Sequence, residues 1–222
     1  MQTYDLFPTL VGADEYPDWE IFKQKFFDNL VHYTRADGLT GEASGFIDLH
    51  LNEDFQDFFK YVADVAKKYV NTIVSEDVWE LWLVKTWYSD FPVPLHDHAD
   101  SHLSFVYYVN VPENCDQTLQ FINPKTNLND LTRGMFLGEQ NKNVEFDRNQ
   151  YNCTAIEFPL KEGYLIVFPS RLQHVVKTSN DVHIKQDASK SRISIAGDFV
   201  LTFKEPMPRG MGLQPINNWR KF

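Results

Sequence analysis

From residue 78 onward the chain is a succession of short apolar stretches cut by turn formers, and this limits its fold more than any other feature. Val78 to Tyr88 is rich in tryptophan and β-branched residues, and Asp90-Phe91-Pro92-Val93-Pro94 breaks it. Leu103 to Val111, Thr118 to Ile122, Gly163 to Phe168, Leu172 to Lys177 and Ser191 to Phe203 follow as further strands. Asn123-Pro124, Pro169-Ser170, the polar run 180–190 and Pro206 to Gly210 separate or end them. Many short strands joined by turns predict an antiparallel sandwich or barrel. Residues 125–160 are polar and without period, a long exposed loop with strands near Met135 and Thr154 to Phe158.

The first third reads differently. Strand and turn material surrounds Leu6 to Val11, and Pro17-Asp18 then opens a helix, with Asp18 as N-cap and Glu20 complementing the helix dipole. Phe22, Phe26, Phe27, Leu30 and Val31 recur at helical spacing. Residues 35–50 are loop. A second helix, from about Glu53 to Val70, carries the stripe Phe55, Phe58, Phe59, Val62, Ala66, Tyr69 and Val70. Such stripes pack against a sheet. The fold class is therefore mainly β with flanking helices, the helices covering one sheet. The 222 residues suit one domain: a helical support region over 1–75, a β core over 76–205 and a tail over 206–222.

Composition removes several functions. A net charge of −10 argues against a general nucleic-acid binder. No apolar run is long enough to span a membrane, and Met1 to Asp5 does not begin a signal peptide. Cys115 and Cys153 form neither a CxxC nor a disulfide framework, so reduced thiols and a cytoplasmic location are expected.

The chemistry concentrates just ahead of the strand at 103. Of seven histidines, His96, His98 and His102 are interleaved with Asp97 and Asp100. Residues two apart on a strand share a face, so His96 and His98, or His98 and Asp100, can point at one spot. Imidazole and carboxylate so spaced suit a divalent metal such as iron. His174 follows a Gly163-strand-Pro169 element and is the candidate ligand from a second strand. On the last strand Arg192, Ser194, Ala196 and Asp198 share one face. His102, His32, His50 and His183 read as turn, surface or core groups, and Trp79, Trp82 and Trp87 as core, with room for one of them to line a pocket.

His96-Asp97-His98, then Ser104 to Val109, Gly163 to His174, and Arg192-Ile193-Ser194 up to Phe199 follow one another in a recognisable order. This order resembles the Fe(II)/2-oxoglutarate-dependent dioxygenases, and most closely the 2OG-Fe(II) oxygenases of bacteria and tailed phages. That pattern is HxH, SGVYYV, GxLxxFPSxxxH and RxSxxxxF, with an N-terminal LFPT element that Leu6 to Thr9 matches. Phe105 stands where the pattern has glycine. The motifs cover about residues 79–203.

The resemblance implies a double-stranded β-helix, or jelly roll, and a hydroxylase that couples decarboxylation of 2-oxoglutarate to substrate oxidation. Iron(II) and 2-oxoglutarate are the implied cofactors, with O2 as co-reactant. Arg192 suits the far carboxylate of 2-oxoglutarate, because guanidinium binds carboxylate bidentately. Ser194 can add a hydrogen bond. Tyr108, by resemblance to prolyl-hydroxylase-like members, and Ser104 on its strand face are assigned to the same cosubstrate. Two ligand sets stay open: His98, Asp100 and His174, the usual two-histidine-one-carboxylate set, or His96, His98 and His174, to which the HxH motif points. The alternative is a cupin-type metalloprotein, an isomerase or cofactor-free dioxygenase, using His96, His98 and His174; its glutamate position is His102 here. Arg192-x-Ser194 favours the oxygenase. A protein side chain or a small metabolite is the expected substrate class, duplex DNA is the least attractive, and a homodimer is compatible.

Overall fold

The computed structural model describes residues 9–29, 48–74, 78–90, 92–115, 117–124, 153, 155–178, 192–206 and 212–221. Among these, nine strands form two antiparallel sheets. They are β1 (Gly12–Glu15), β2 (Trp79–Ser89), β3 (Val93–His96), β4 (Leu103–Asn110), β5 (Gln117–Ile122), β6 (Ala155–Phe158), β7 (Tyr164–Pro169), β8 (His174–Thr178) and β9 (Ile193–Phe203). One sheet has the order β1-β7-β4-β9-β2 and the other β3-β8-β5-β6. This is the expected jelly roll.

The central strand β4 is buried along its whole length because both its faces are covered. Phe105, Tyr107 and Val109 point to the helices α1 (Trp19–Asn29) and α2 (Gln56–Ile73), whereas Val106 and Tyr108 point to the second sheet. The same alternation continues on β7, with Leu165 and Val167 outward and Ile166 and Phe168 inward. Phe22 of α1 stacks on Phe58 of α2 at 4.1 Å between centroids, and Phe58 meets Tyr107 at 4.6 Å. Truncating an aromatic in this junction costs about 3–5 kcal/mol. The helices thus support the outer face of the larger sheet, and the inner face is left for chemistry.

Several elements differ from the sequence expectation. Glu53–Phe55 is a 3-10 turn, and α2 begins at Gln56 and runs on to Ile73. Asn52 provides the local cap, its side chain accepting from the Asp54 amide at 2.9 Å. The expected N-terminal strand lies at Gly12–Glu15, paired with β7. Within the expected break before the histidines, Val93–His96 forms a strand that contains Pro94. Proline is tolerated there because β3 is an edge strand. The expected strand near Met135, most of the 125–160 loop, Leu6 to Pro8, His32 and His183 lie outside the described residues. The tail carries a 3-10 turn at Ile216–Asn218 and pairs Leu213 with Thr202. Among the described residues no helix is long and apolar enough to cross a membrane.

Candidate metal centre

His96 ends β3, and its register partner on β8 is His174. His98 is not on the strand with His96, contrary to the expectation from spacing. It lies in the turn that follows, and backbone bonds hold that turn in place. The His98 amide donates to the Ser170 carbonyl at 2.8 Å, the Ser170 amide to His102 at 3.1 Å, and the His102 amide to Phe199 at 2.9 Å. The turn is thus tied to the end of β7 and to β9, which aims His98 back across the mouth of the barrel.

Among the described residues, one group of ligating side chains converges: His96, His98 and His174 bring nitrogens within 4.8 Å of one another. Ring centroids are 4.2 Å apart for His96 and His174, 5.1 Å for His96 and His98, and 5.3 Å for His98 and His174. Each Nδ1 faces an oxygen that can only accept. His96 Nδ1 lies 2.7 Å from the Pro94 carbonyl, His174 Nδ1 2.9 Å from the Leu172 carbonyl, and His98 Nδ1 2.6 Å from the Asp198 carboxylate. Nδ1 therefore carries the proton in all three rings, and the Nε2 lone pairs remain for a metal. Burial pushes His174 down to about 4, helped by His96 and His98 and opposed by the Leu172 carbonyl. Burial also lowers His96. Neutral imidazole is the form that ligates.

Asp100 lies elsewhere. Its exposed carboxylate takes two contacts from Lys85 Nζ, at 2.9 and 3.1 Å, and is not in the converging group. Lys85 also makes an ion pair with Asp198 Oδ2 at 3.0 Å. Asp198 is fully buried. Burial works to raise its carboxyl, but hydrogen bonds from His98 and Ser104 and the Lys85 charge hold it below the usual carboxylate range. Ser104 Oγ donates to Asp198 Oδ1 at 2.5 Å, which puts Ser104 at the histidine end of the barrel. The ring of Trp87 packs 5.7 Å from that of His98, so one tryptophan does line the site. His102 sits on an exposed bend, its Nδ1 accepting from the Leu201 amide at 3.1 Å.

The other anticipated residues form a second cluster between the sheets. Arg192 is buried; its Nε donates to Gln117 Oε1 at 2.6 Å and its Nη1 to Ser194 Oγ at 2.7 Å. Tyr108 is paired in register with Ser194 and fully buried, and among the described residues its hydroxyl has no hydrogen-bond partner. Burial raises the Tyr108 phenol, while the nearby Arg192 guanidinium pulls it the other way. An unsatisfied buried hydroxyl beside a buried cation is a polar cradle suited to an anionic ligand. Gln117 and Asp198 were not assigned roles from the sequence. The alternation that puts Asp198 on the face of Arg192 was the available signal for the second.

A family model described as "Putative 2OG-Fe(II) oxygenase" matches residues 80–198. No curated protein matches the chain. Among solved structures, a prolyl-4-hydroxylase of Pseudomonas putida is 13% identical over 90% of this chain and 89% of its own, with a TM-score of 0.50. HygX from Streptomyces hygroscopicus, solved with nickel and 2-oxoglutarate bound, is 13% identical over 93% of this chain and 92% of its own, with a TM-score of 0.52. SnoN, a non-heme alpha-ketoglutarate-dependent epimerase from nogalamycin biosynthesis, is 12% identical over 93% and 88%, with a TM-score of 0.53. At such identities the likeness is one of fold.

Proposed function

The chain belongs to the 2OG-Fe(II) oxygenase family, an enzyme family whose cofactors are iron(II) and 2-oxoglutarate, and from that premise we propose that it is a hydroxylase using a three-histidine iron site. His96, His98 and His174 hold the metal in this reading. The observation that carries it is the common orientation of three imidazoles, each with Nδ1–H spent on an oxygen and Nε2 left over. Arg192 takes the far carboxylate of 2-oxoglutarate, with Ser194 and Tyr108 as hydrogen-bond partners. Gln117 fixes the guanidinium in place for that task. Ser104 serves the histidine end instead, through Asp198. When bound, iron(II) with 2-oxoglutarate and O2 supplies the oxidant that inserts oxygen into a C–H bond, and 2-oxoglutarate leaves as succinate and CO2.

The chain's own residues set the conditions for that chemistry. Phe121 and Phe168 pack their rings 6.1 and 4.9 Å from His174 and exclude water from that side of the site. The Arg192 cluster sits in the apolar interior between the sheets, where a carboxylate–guanidinium contact is strong because water does not compete. The substrate is a protein side chain or a small metabolite, and a prolyl residue in a peptide is the first candidate to assay. A cytoplasmic setting agrees with the free thiols of Cys115 and Cys153.

The test is anaerobic titration of the purified protein with iron(II) and 2-oxoglutarate. The reading expects a visible charge-transfer band, followed by succinate once oxygen is admitted. Absence of both would remove it. The ligand set is tested separately: iron binding is lost in His96→Ala and kept in Asp100→Ala. The opposite pattern would restore the carboxylate set.

A further inference from the structure

Among the described residues the converging ligands include no carboxylate, yet a buried carboxylate is bonded directly to one of them. Asp198 Oδ1 accepts from His98 Nδ1 at 2.6 Å and from Ser104 Oγ at 2.5 Å. Ser104 has one proton to give, and its gift to Asp198 fixes the direction of the neighbouring hydroxyls. Ser170 then donates to Ser104 at 2.9 Å, and Ser101 to Ser170 at 3.0 Å. On the other oxygen stands Lys85, 3.0 Å away, which also holds Asp100. Asp198 is thereby engaged at both oxygens and is not one of the converging ligands.

The three ligands are not backed alike. His96 and His174 lean on neutral carbonyls, those of Pro94 and Leu172. His98 alone leans on a full negative charge. Non-haem iron oxygenases of this kind ordinarily have two histidines and one carboxylate, whose charge offsets that of the metal. Three neutral imidazoles leave that charge out. A carboxylate accepting the far N–H of a ligating histidine fixes the ring and raises its basicity.

Resting on the three-histidine reading above, we propose that Asp198 is a positioning residue that returns the missing charge to the metal centre through His98. Lys85 and the row of serines hold the carboxylate in that post. Asp100, which spacing offers as a ligand, takes the outer end of the same row: it steadies Lys85, which steadies Asp198, which orients His98. The carboxylate function is kept, one hydrogen bond removed from the metal.

Asp198→Asn keeps an oxygen acceptor for His98 and removes the charge, whereas Lys85→Gln removes only the partner cation. Metal affinity of the full chain is measured by chelator competition with iron(II), anaerobically, and with nickel(II). We expect Asp198→Asn to lose about 10–100-fold in affinity, and Lys85→Gln to lose less. The charge-transfer band of the iron(II)–2-oxoglutarate complex moves to shorter wavelength in Asp198→Asn, because a weaker imidazole donor leaves the metal electrons more tightly held. A wild-type protein without metal binding or band overturns the three-histidine reading and this proposal together. A wild-type protein with both, alongside an Asp198→Asn variant within about twofold in affinity and with an unmoved band, overturns this proposal alone. If Asp198→Asn does not fold, Lys85→Gln decides: unchanged affinity and an unmoved band refute the proposal.

Discussion

Acid should loosen this protein through His174, by an amount the structure lets one work out. The ring is buried beside Phe168 and Phe121, with two further imidazoles for neighbours. Those surroundings push it from 6.5 to about 4. The unfolded chain therefore takes up the proton first as pH falls. Stability tied to the neutral ring is complete above about pH 6.5, drains away between there and about pH 4, and is fully lost below. A gap of about 2.5 pH units at about 1.4 kcal/mol each comes to about 3 kcal/mol. The perturbation is His174→Gln in metal-free protein with chelator present. The assay is urea unfolding at several pH values from 8 to about 4. Carboxylates titrating in the same window act on both proteins, so they cancel in the wild-type-minus-variant difference. That difference should change by about 3 kcal/mol in favour of the variant as pH falls. A difference that stays flat with pH would refute the argument that burial keeps His174 neutral.

Three further outcomes follow from the same site. Arg192→Met should weaken 2-oxoglutarate binding by about 2–5 kcal/mol and leave metal affinity near wild type, read by calorimetry with nickel(II); equal losses of both would refute the separation into two clusters. Tyr108→Phe should weaken 2-oxoglutarate binding by about 1.5–3 kcal/mol, the range for a hydrogen bond to a charged group, and leave the apoprotein as stable or more so, because the hydroxyl it removes is buried and unsatisfied; a lower melting temperature would contradict this. Gly197→Ala should destabilise by about 1–3 kcal/mol in urea unfolding, since its Cβ would meet Phe105 Cε1 at 2.6 Å and the Lys85 carbonyl at 2.7 Å. It should weaken metal binding too, as Lys85 and Asp198 flank it; wild-type stability would show that the strands can part there.

The alternation of β4 was legible because one strand face is apolar throughout and the other carries Ser104 and Tyr108. The face shared by Arg192, Ser194 and Asp198 was legible for the same reason of period. What the period did not reveal is which strand lies beside which. Register on β9 sets Ser194 against Tyr108 and Asp198 against Ser104, and only that alignment turns an ordinary aspartate into the partner of a histidine a hundred positions away. The His98 placement escaped for another reason. Backbone bonds to Ser170 and through His102 to Phe199 fix it, and main-chain pairing leaves no mark on side-chain pattern.

Lys85 and Trp87 illustrate a subtler limit. Strict alternation would place Trp79, Leu81, Leu83, Lys85 and Trp87 on one face of β2. The first three do pack on the helix side. Yet Lys85 reaches Asp198 and Trp87 reaches His98, on the inner side. The register of β2 on β9 shifts between Leu83 and Lys85, a bulge that inserts Val84 and exchanges the two faces beyond it. Val84 is exposed there, and Tyr88 rather than Trp87 returns to the helix-side core. One extra residue thus decides whether a lysine meets solvent or a buried carboxylate. Without the bulge, Asp198 would lose Lys85 and keep only its hydrogen bonds from His98 and Ser104, and a buried carboxylate without a lysine beside it is costlier to keep charged. The proposed metal centre therefore draws on an irregularity in a strand that supplies none of the three converging histidines.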